Sequence, residues 1–194
     1  MKELFIKYVS VLRFLLIFIG VYILLSLLYG GFLSFSKGAD SSPDMITQQV
    51  AQQSHALLHS LGYRAEVIAN KELPSMQLWV EGTQVGTIIE GCNSLSIIIL
   101  FVSFVLAFSA PLKKTVVFLF AGAVLIYAFN LVRIAILAIA LYQYPHYQDF
   151  LHTIIFPGII YGLVFGLWVI WVRSVNPPKQ LASNVAEGKE DNFE

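Results

Sequence analysis

Three side chains with reactive chemistry stand at the ends of apolar runs: Cys92 in Glu90-Gly91-Cys92-Asn93-Ser94, Arg133 in Asn130-Leu131-Val132-Arg133, and His152. A thiol becomes a strong nucleophile on losing its proton, and a neighbouring cation favours the thiolate. A guanidinium presents fixed donors to a developing oxyanion. An imidazole takes up and returns protons near neutral pH. Together they suit nucleophilic acyl transfer through a thioester, with Cys92 attacking, Arg133 stabilising charge and His152 shuttling the proton. Each has a plainer alternative. A free cysteine is commonly a small buried hydrophobe, an arginine at a membrane boundary can snorkel to headgroups, and His152 can simply sit at headgroup level. Against this, arginine within an apolar span costs about 2.5–3.5 kcal/mol at the centre and usually faces a functional cavity. Asn130, three residues earlier on the same helix face, and Asn93, beside the thiol, are supporting polar groups. His146 is the rival base, but it belongs to a loop, whereas His152 opens a helix.

These residues need a scaffold, and composition says what kind. The chain is 57% hydrophobic and 12% charged, with mean hydropathy +0.74. Soluble domains carry about a quarter charged residues, so the chain belongs in the lipid bilayer. It has no basic cluster able to track a phosphate backbone, which excludes nucleic acid as a partner. One cysteine rules out an intrachain disulfide and a Cys-rich metal site. His55 and His59 share i,i+4 spacing but lack the glutamate that follows the first histidine in zinc-protease helices. No metal and no cofactor are expected.

A helix crossing the hydrocarbon core needs about 20 apolar residues. Four runs qualify: residues 11–33, 95–110 (extended outward through Cys92), 115–141 and 154–172. The first reads as a retained anchor, since it exceeds the signal-peptide core of about 7–15 residues and no Ala-x-Ala-like site follows it. Lys2, Lys7 and Arg13, the Pro111-Leu-Lys-Lys turn, and Arg173 with Lys179 place both termini and the short turn in the cytoplasm. The long polar insert and the loop 142–151, which has no Lys or Arg, then lie outside. At 1.5 Å per residue, Cys92 is roughly 31 Å from Lys113, Arg133 roughly 28 Å from Lys114 and His152 roughly 31 Å from Arg173. The core is about 30 Å thick, so all three reach its outer boundary.

The expected fold is therefore an all-α membrane protein, with four transmembrane helices and a small extracytoplasmic helix-plus-β-hairpin insert. Residues 1–33 form the N-terminal anchor, 34–91 the insert, 92–173 a three-helix catalytic core and 174–194 a disordered cytoplasmic tail. Within the insert, residues 43–61 fit an amphipathic helix starting near Asp44 and ending at Gly62. Residues 63–68, 77–80 and 84–89 read as strands, the last two joined by Glu81-Gly82-Thr83 and leading directly to Cys92. Gly158, Gly162 and Gly166 form a small-residue stripe on the last span, for packing against another span or for docking a substrate helix.

Three features resemble the exosortase/archaeosortase family of multispanning cysteine transpeptidases: Gly91-Cys92 after an outer strand, Asn130-x-x-Arg133 late in the next span, and His152 opening the following one. They cover residues 83–171. The small size and Cys92-Asn93-Ser94-Leu95 are most similar to the compact exosortase F type; many members of the family carry Cys-Ser-Gly or Cys-Ala-Gly at this position, and this chain departs from that with Asn93 and Ser94. The resemblance implies an enzyme of the bacterial inner membrane with its active site on the extracytoplasmic face. Its substrates are exported proteins bearing a carboxy-terminal sorting signal: a short motif, a transmembrane helix and a basic end. It cleaves that signal and passes the new carboxyl to a lipid or cell-surface acceptor. Two rivals share the same residues, a cysteine protease acting by hydrolysis alone and a non-enzymatic membrane scaffold or assembly factor.

Overall fold

A computed structural model describes residues 2–36, 43–70, 72–108, 110–147 and 150–175; the side chains of residues 2–7, 10, 36 and 152 lie outside that description. The described residues are mostly helical, and among them three helices are long and apolar enough to span a bilayer. These are α1 (Lys2–Ser36), α4 (Leu112–Gln143) and α5 (Phe156–Val175), the last preceded by a π-helical turn, Leu151–Ile155. Between α1 and α4 come α2 (Met45–Ser60), strands β1 (Ala65–Ala69), β2 (Met76–Val80) and β3 (Thr83–Ile88), and α3 (Leu95–Ala107). Of the predicted tail, only residues 174 and 175 are described, and they complete α5.

The predicted second span differs from the observed helix at both ends. α3 has 13 residues, about 20 Å of rise against a core of about 30 Å. It does not continue outward through Cys92. Asn93 Oδ1 accepts the Leu95 N–H at 3.0 Å, and Ser94 takes the left-handed conformation at φ 61°, so the α-helical path starts only at Leu95. Its other end comes at Ala107, with Phe108 extended at ψ 133°; Pro111 likewise disfavours helix in the residue before it.

The insert follows the sequence pattern closely. Asp44 Oδ1 accepts the Ile46 and Thr47 N–H groups, each at 3.0 Å, and so caps α2. Gly62, at φ 90°, ends that helix in a conformation a Cβ would oppose. β2 and β3 form the expected hairpin through Glu81 (φ 50°) and Gly82 (φ 77°), the positive-φ pair that matches strand twist. β1 pairs antiparallel with the far edge of β2, giving a three-stranded sheet in the order β1-β2-β3.

Two apolar clusters share α4. One joins α2 and the sheet to the later part of α4, with Val50, Leu58, Leu78, Val80, Ile134 and Ala138 buried. The other joins α3 and α5 to its earlier part around Phe101, Val105, Ile126, Val164 and Trp171. In the second cluster rings stack tightly: Phe104 on Trp168 at 4.2 Å and Phe118 on Trp171 at 4.8 Å. α1 runs antiparallel to α3, with Phe14 against Phe104 and Phe108 at one end and Tyr29 beside Asn93 at the other.

Candidate active site around Cys92

β3 ends at Ile88, and a 3₁₀ turn, Glu90–Cys92, carries the chain from sheet to helix. The turn is closed by the Cys92 N–H donating to Ile89 O at 2.8 Å. It leaves the Cys92 side chain half-buried and its sulfur unbridged. The cysteine carbonyl accepts Asn130 Nδ2 at 2.8 Å, so a side chain of α4 pins the backbone of the thiol residue. Asn130 is 1% exposed. Its other amide atom, Oδ1, accepts Arg133 Nη1 at 3.4 Å. One carboxamide thus links the cysteine residue to the guanidinium, one helical turn further along the same face of α4.

Cys92 and Arg133 line one cavity of about 310 Å³ with Leu78, Ile88, Ile134 and Leu137. Arg133 is half-buried, and its Nε is buried with no hydrogen-bond partner. A charged donor held out of water without an acceptor is costly.

The turn is also held from the other side. Asn93 is 1% exposed, and its Nδ2 donates to Tyr29 Oη on α1 at 2.9 Å. Ser94 Oγ donates to Asn93 O at 2.6 Å, satisfying a carbonyl beside the strained left-handed residue. Tyr29 is a contributor that sequence reasoning missed. Nothing in its local spacing distinguishes it from a tyrosine at a membrane interface, and only the packing of α1 along α3 brings it here.

Of the residues singled out by sequence, Cys92, Arg133, Asn130 and Asn93 come together. His152 has its backbone in the π-helical turn that leads into α5, and its side chain lies outside the described residues. His146 is exposed in the 3₁₀ turn Pro145–Tyr147, its ring 4.2 Å from that of Tyr147. His55 and His59 lie 6.4 Å apart along α2, and no group of three or more metal-ligating side chains occurs among the described residues. On the glycine stripe, a Cβ added at Gly158, Gly162 or Gly166 meets nothing within 4 Å. Among the described residues, nothing packs against the stripe.

A family model described as transmembrane exosortase (Exosortase_EpsH) matches residues 6–172. No curated protein and no solved structure matches the chain. The family match runs from the first helix to the last and includes every residue of the site just described, so the chain belongs to the transmembrane exosortase family.

Proposed function

We propose that this exosortase is a membrane-embedded cysteine transpeptidase that cleaves a carboxy-terminal sorting signal from exported proteins and transfers the new carboxyl to an acceptor. One observation carries the reading: Cys92 and Arg133 border the same cavity, and Asn130 is bonded to both residues. Cys92 Sγ adds to the scissile carbonyl carbon while its proton passes to His152. The carbonyl oxygen becomes an oxyanion, stabilised by the Arg133 guanidinium. Collapse restores the carbonyl and breaks the C–N bond, and the departing amine takes the proton from His152. An amine or hydroxyl of a lipid or cell-surface acceptor then attacks the thioester, loses its proton and restores the thiol. Asn130 and Asn93 act as positioning residues for the cysteine turn.

In this reading α1, α3, α4 and α5 make four crossings, with both termini cytoplasmic and Cys92 on the extracytoplasmic face of a bacterial inner membrane. α3 alone is short, but its neighbours support the count. Cys92 meets Asn130 near the later part of α4, and Phe101 meets Phe118 and Gly122 further back. α3 therefore descends beside α4 toward Lys113 and Lys114, a rise of about 26 Å along α4 from Asn130. Non-helical residues on either side of α3 supply the remaining depth. The Cys92-Asn93-Ser94-Leu95 run supports the compact F type within that family.

The test is a Cys92→Ala variant in cells expressing an exported reporter that ends in a sorting signal. Processing is expected to disappear while the variant still inserts in the membrane; continued processing eliminates Cys92 as nucleophile. Mass spectrometry of the reporter's new carboxyl end separates the outcomes. An added acceptor mass identifies transpeptidation, and a bare carboxyl identifies hydrolysis. The scaffold alternative requires that alkylating Cys92 change nothing.

A further inference from the structure

We propose that an extended substrate peptide pairs with the free edge of β3 and seats one apolar side chain in the cavity between β3 and α4. The inference rests on the cysteine reading above and adds the substrate's conformation and the chemistry of one of its residues.

β3 is an edge strand, bonded on one side to β2. Among the described residues, no hydrogen bond from any other segment reaches residues 83–88 on the opposite side. An unpaired edge is a template for another strand, and enzymes and binding modules use such edges to hold extended peptides. The cavity meets Val85, Gly86, Thr87 and Ile88 in succession. Side chains alternate between the faces of a strand, so a space that touches consecutive residues reaches the strand along its edge. A register shift opposite Leu78 and Trp79 marks a bulge at this part of β3, a device that commonly re-aims strands beside active sites. The strand then delivers the chain to Cys92 within four residues of Ile88. A peptide paired with β3 would be guided toward the sulfur.

The opposite wall is α4, which contributes Ile134, Leu137, Ala138 and Leu141. Apart from Thr87, the polar side chains at the cavity are Cys92 and Arg133, so the remainder selects an apolar side chain. Size decides against a helical ligand. One turn of helix is about 5.4 Å tall and about 10 Å wide, which exceeds the 310 Å³ available. An extended peptide with one side chain inserted fits.

The experiment uses the full-length protein in detergent and exploits its single cysteine, so that any covalent label reports one site. Acetyl-aminoacyl chloromethyl ketones carrying Leu, Asp or Lys are compared by the rate at which each adds to Cys92, read by intact mass. The Leu probe is expected to label about tenfold faster than either charged probe, a discrimination usual for an apolar pocket. Ala138→Trp fills the cavity and should erase that advantage, each probe's rate being taken as a ratio to iodoacetamide labelling of the same variant. Leu137→Ala enlarges it and should shift preference toward a Phe probe. A dipeptide probe N-methylated at the amide that pairs with β3 should react about tenfold more slowly than its unmethylated twin. Equal rates for all probes, a faster Asp probe, or a Leu preference untouched by both substitutions overturns the cleft. So does failure of every ketone to react where iodoacetamide does. Those results leave the nucleophile reading standing if Cys92→Ala has abolished processing; processing by Cys92→Ala defeats the nucleophile reading whatever the probes do.

Discussion

The two ends of α4 are packed by opposite rules. Toward its start, α4 meets α3 and α5 in an aromatic cluster that is tight at Gly122, where a Cβ would lie 2.2 Å from the Phe101 ring. Toward its later end, the same helix meets the sheet and leaves a cavity of about 310 Å³ bordered by a thiol and a guanidinium, whose residues are both bonded to the Asn130 carboxamide. The contrast shows a division of labour along one rigid element. The closed part fixes the helix against α3 and α5, and the open part uses that fixed helix to hold Asn130 and Arg133 against the cysteine turn. Preorganisation of this kind lets charged groups act without reorganising during the reaction.

Substitutions in the two regions should therefore fail in different ways. The largest effect is expected at the open end. Arg133→Lys keeps the charge but loses the planar fork, and reporter processing should fall about 100-fold with the thermal melt in detergent unchanged. A wild-type rate would remove Arg133 from the chemistry. At the closed end the signature reverses. Gly122→Leu forces an overpacked contact on Phe101 and should cost about 1–3 kcal/mol, read as a lowered melt. Gly158→Leu, with nothing within 4 Å, should leave the melt unchanged. Equal melts for the two would contradict the tight packing of α3 on α4. Asn130→Leu joins the two readouts. It strips the donor from the Cys92 carbonyl and the acceptor from Arg133, so about 1–2 kcal/mol of stability is expected to go together with much of the processing. Tyr29→Phe loses its bond to Asn93 and should cost about 1 kcal/mol or less, with processing reduced more than the melt.

The smallest effect lies at the hairpin turn of the insert. Arg64 donates its backbone N–H and its guanidinium to the Glu81 carboxylate, at 2.9 Å and 2.8 Å, and these bonds hold the carboxyl below its usual value of 4.5. A carboxyl shifted downward by folding stabilises the fold at pH above its unfolded value, and that contribution disappears as pH falls through the folded one. The Arg64 side chain is 90% exposed, so the contribution is small. Acid melts of the wild type and Glu81→Gln should converge below that range and differ slightly at neutral pH; a constant difference across pH would contradict the linkage.

Much of this was legible in the sequence because strong local signals coincide with tertiary need. Asp44 and Gly62 bracket α2, Glu81-Gly82 makes the hairpin, and long apolar runs mark α1, α4 and α5. The one-turn spacing of Asn130 and Arg133 anticipated their shared face. What periodicity could not give was the break before α3. Hydropathy continues through Leu95, while the helix start depends on Asn93 folding its side chain onto a backbone N–H and on Ser94 adopting a left-handed turn. Tyr29 and the wall formed by Leu137, Ala138 and Leu141 were equally hidden, since they acquire meaning only when α1 lies along α3 and the sheet lies on α4. Long-range packing carries no mark in the residues that it joins.

In the proposed mechanism the sulfur of Cys92 carries the substrate's acyl group during sorting. Intact mass and peptide mapping of the protein recovered from cells making a sorted reporter test this directly. A thioester intermediate requires a reporter-derived acyl group on Cys92 that hydroxylamine releases, and no such adduct on the Cys92→Ala chain. Sorting that proceeds at full rate with no adduct at Cys92, or with the acyl group on another residue, would contradict it.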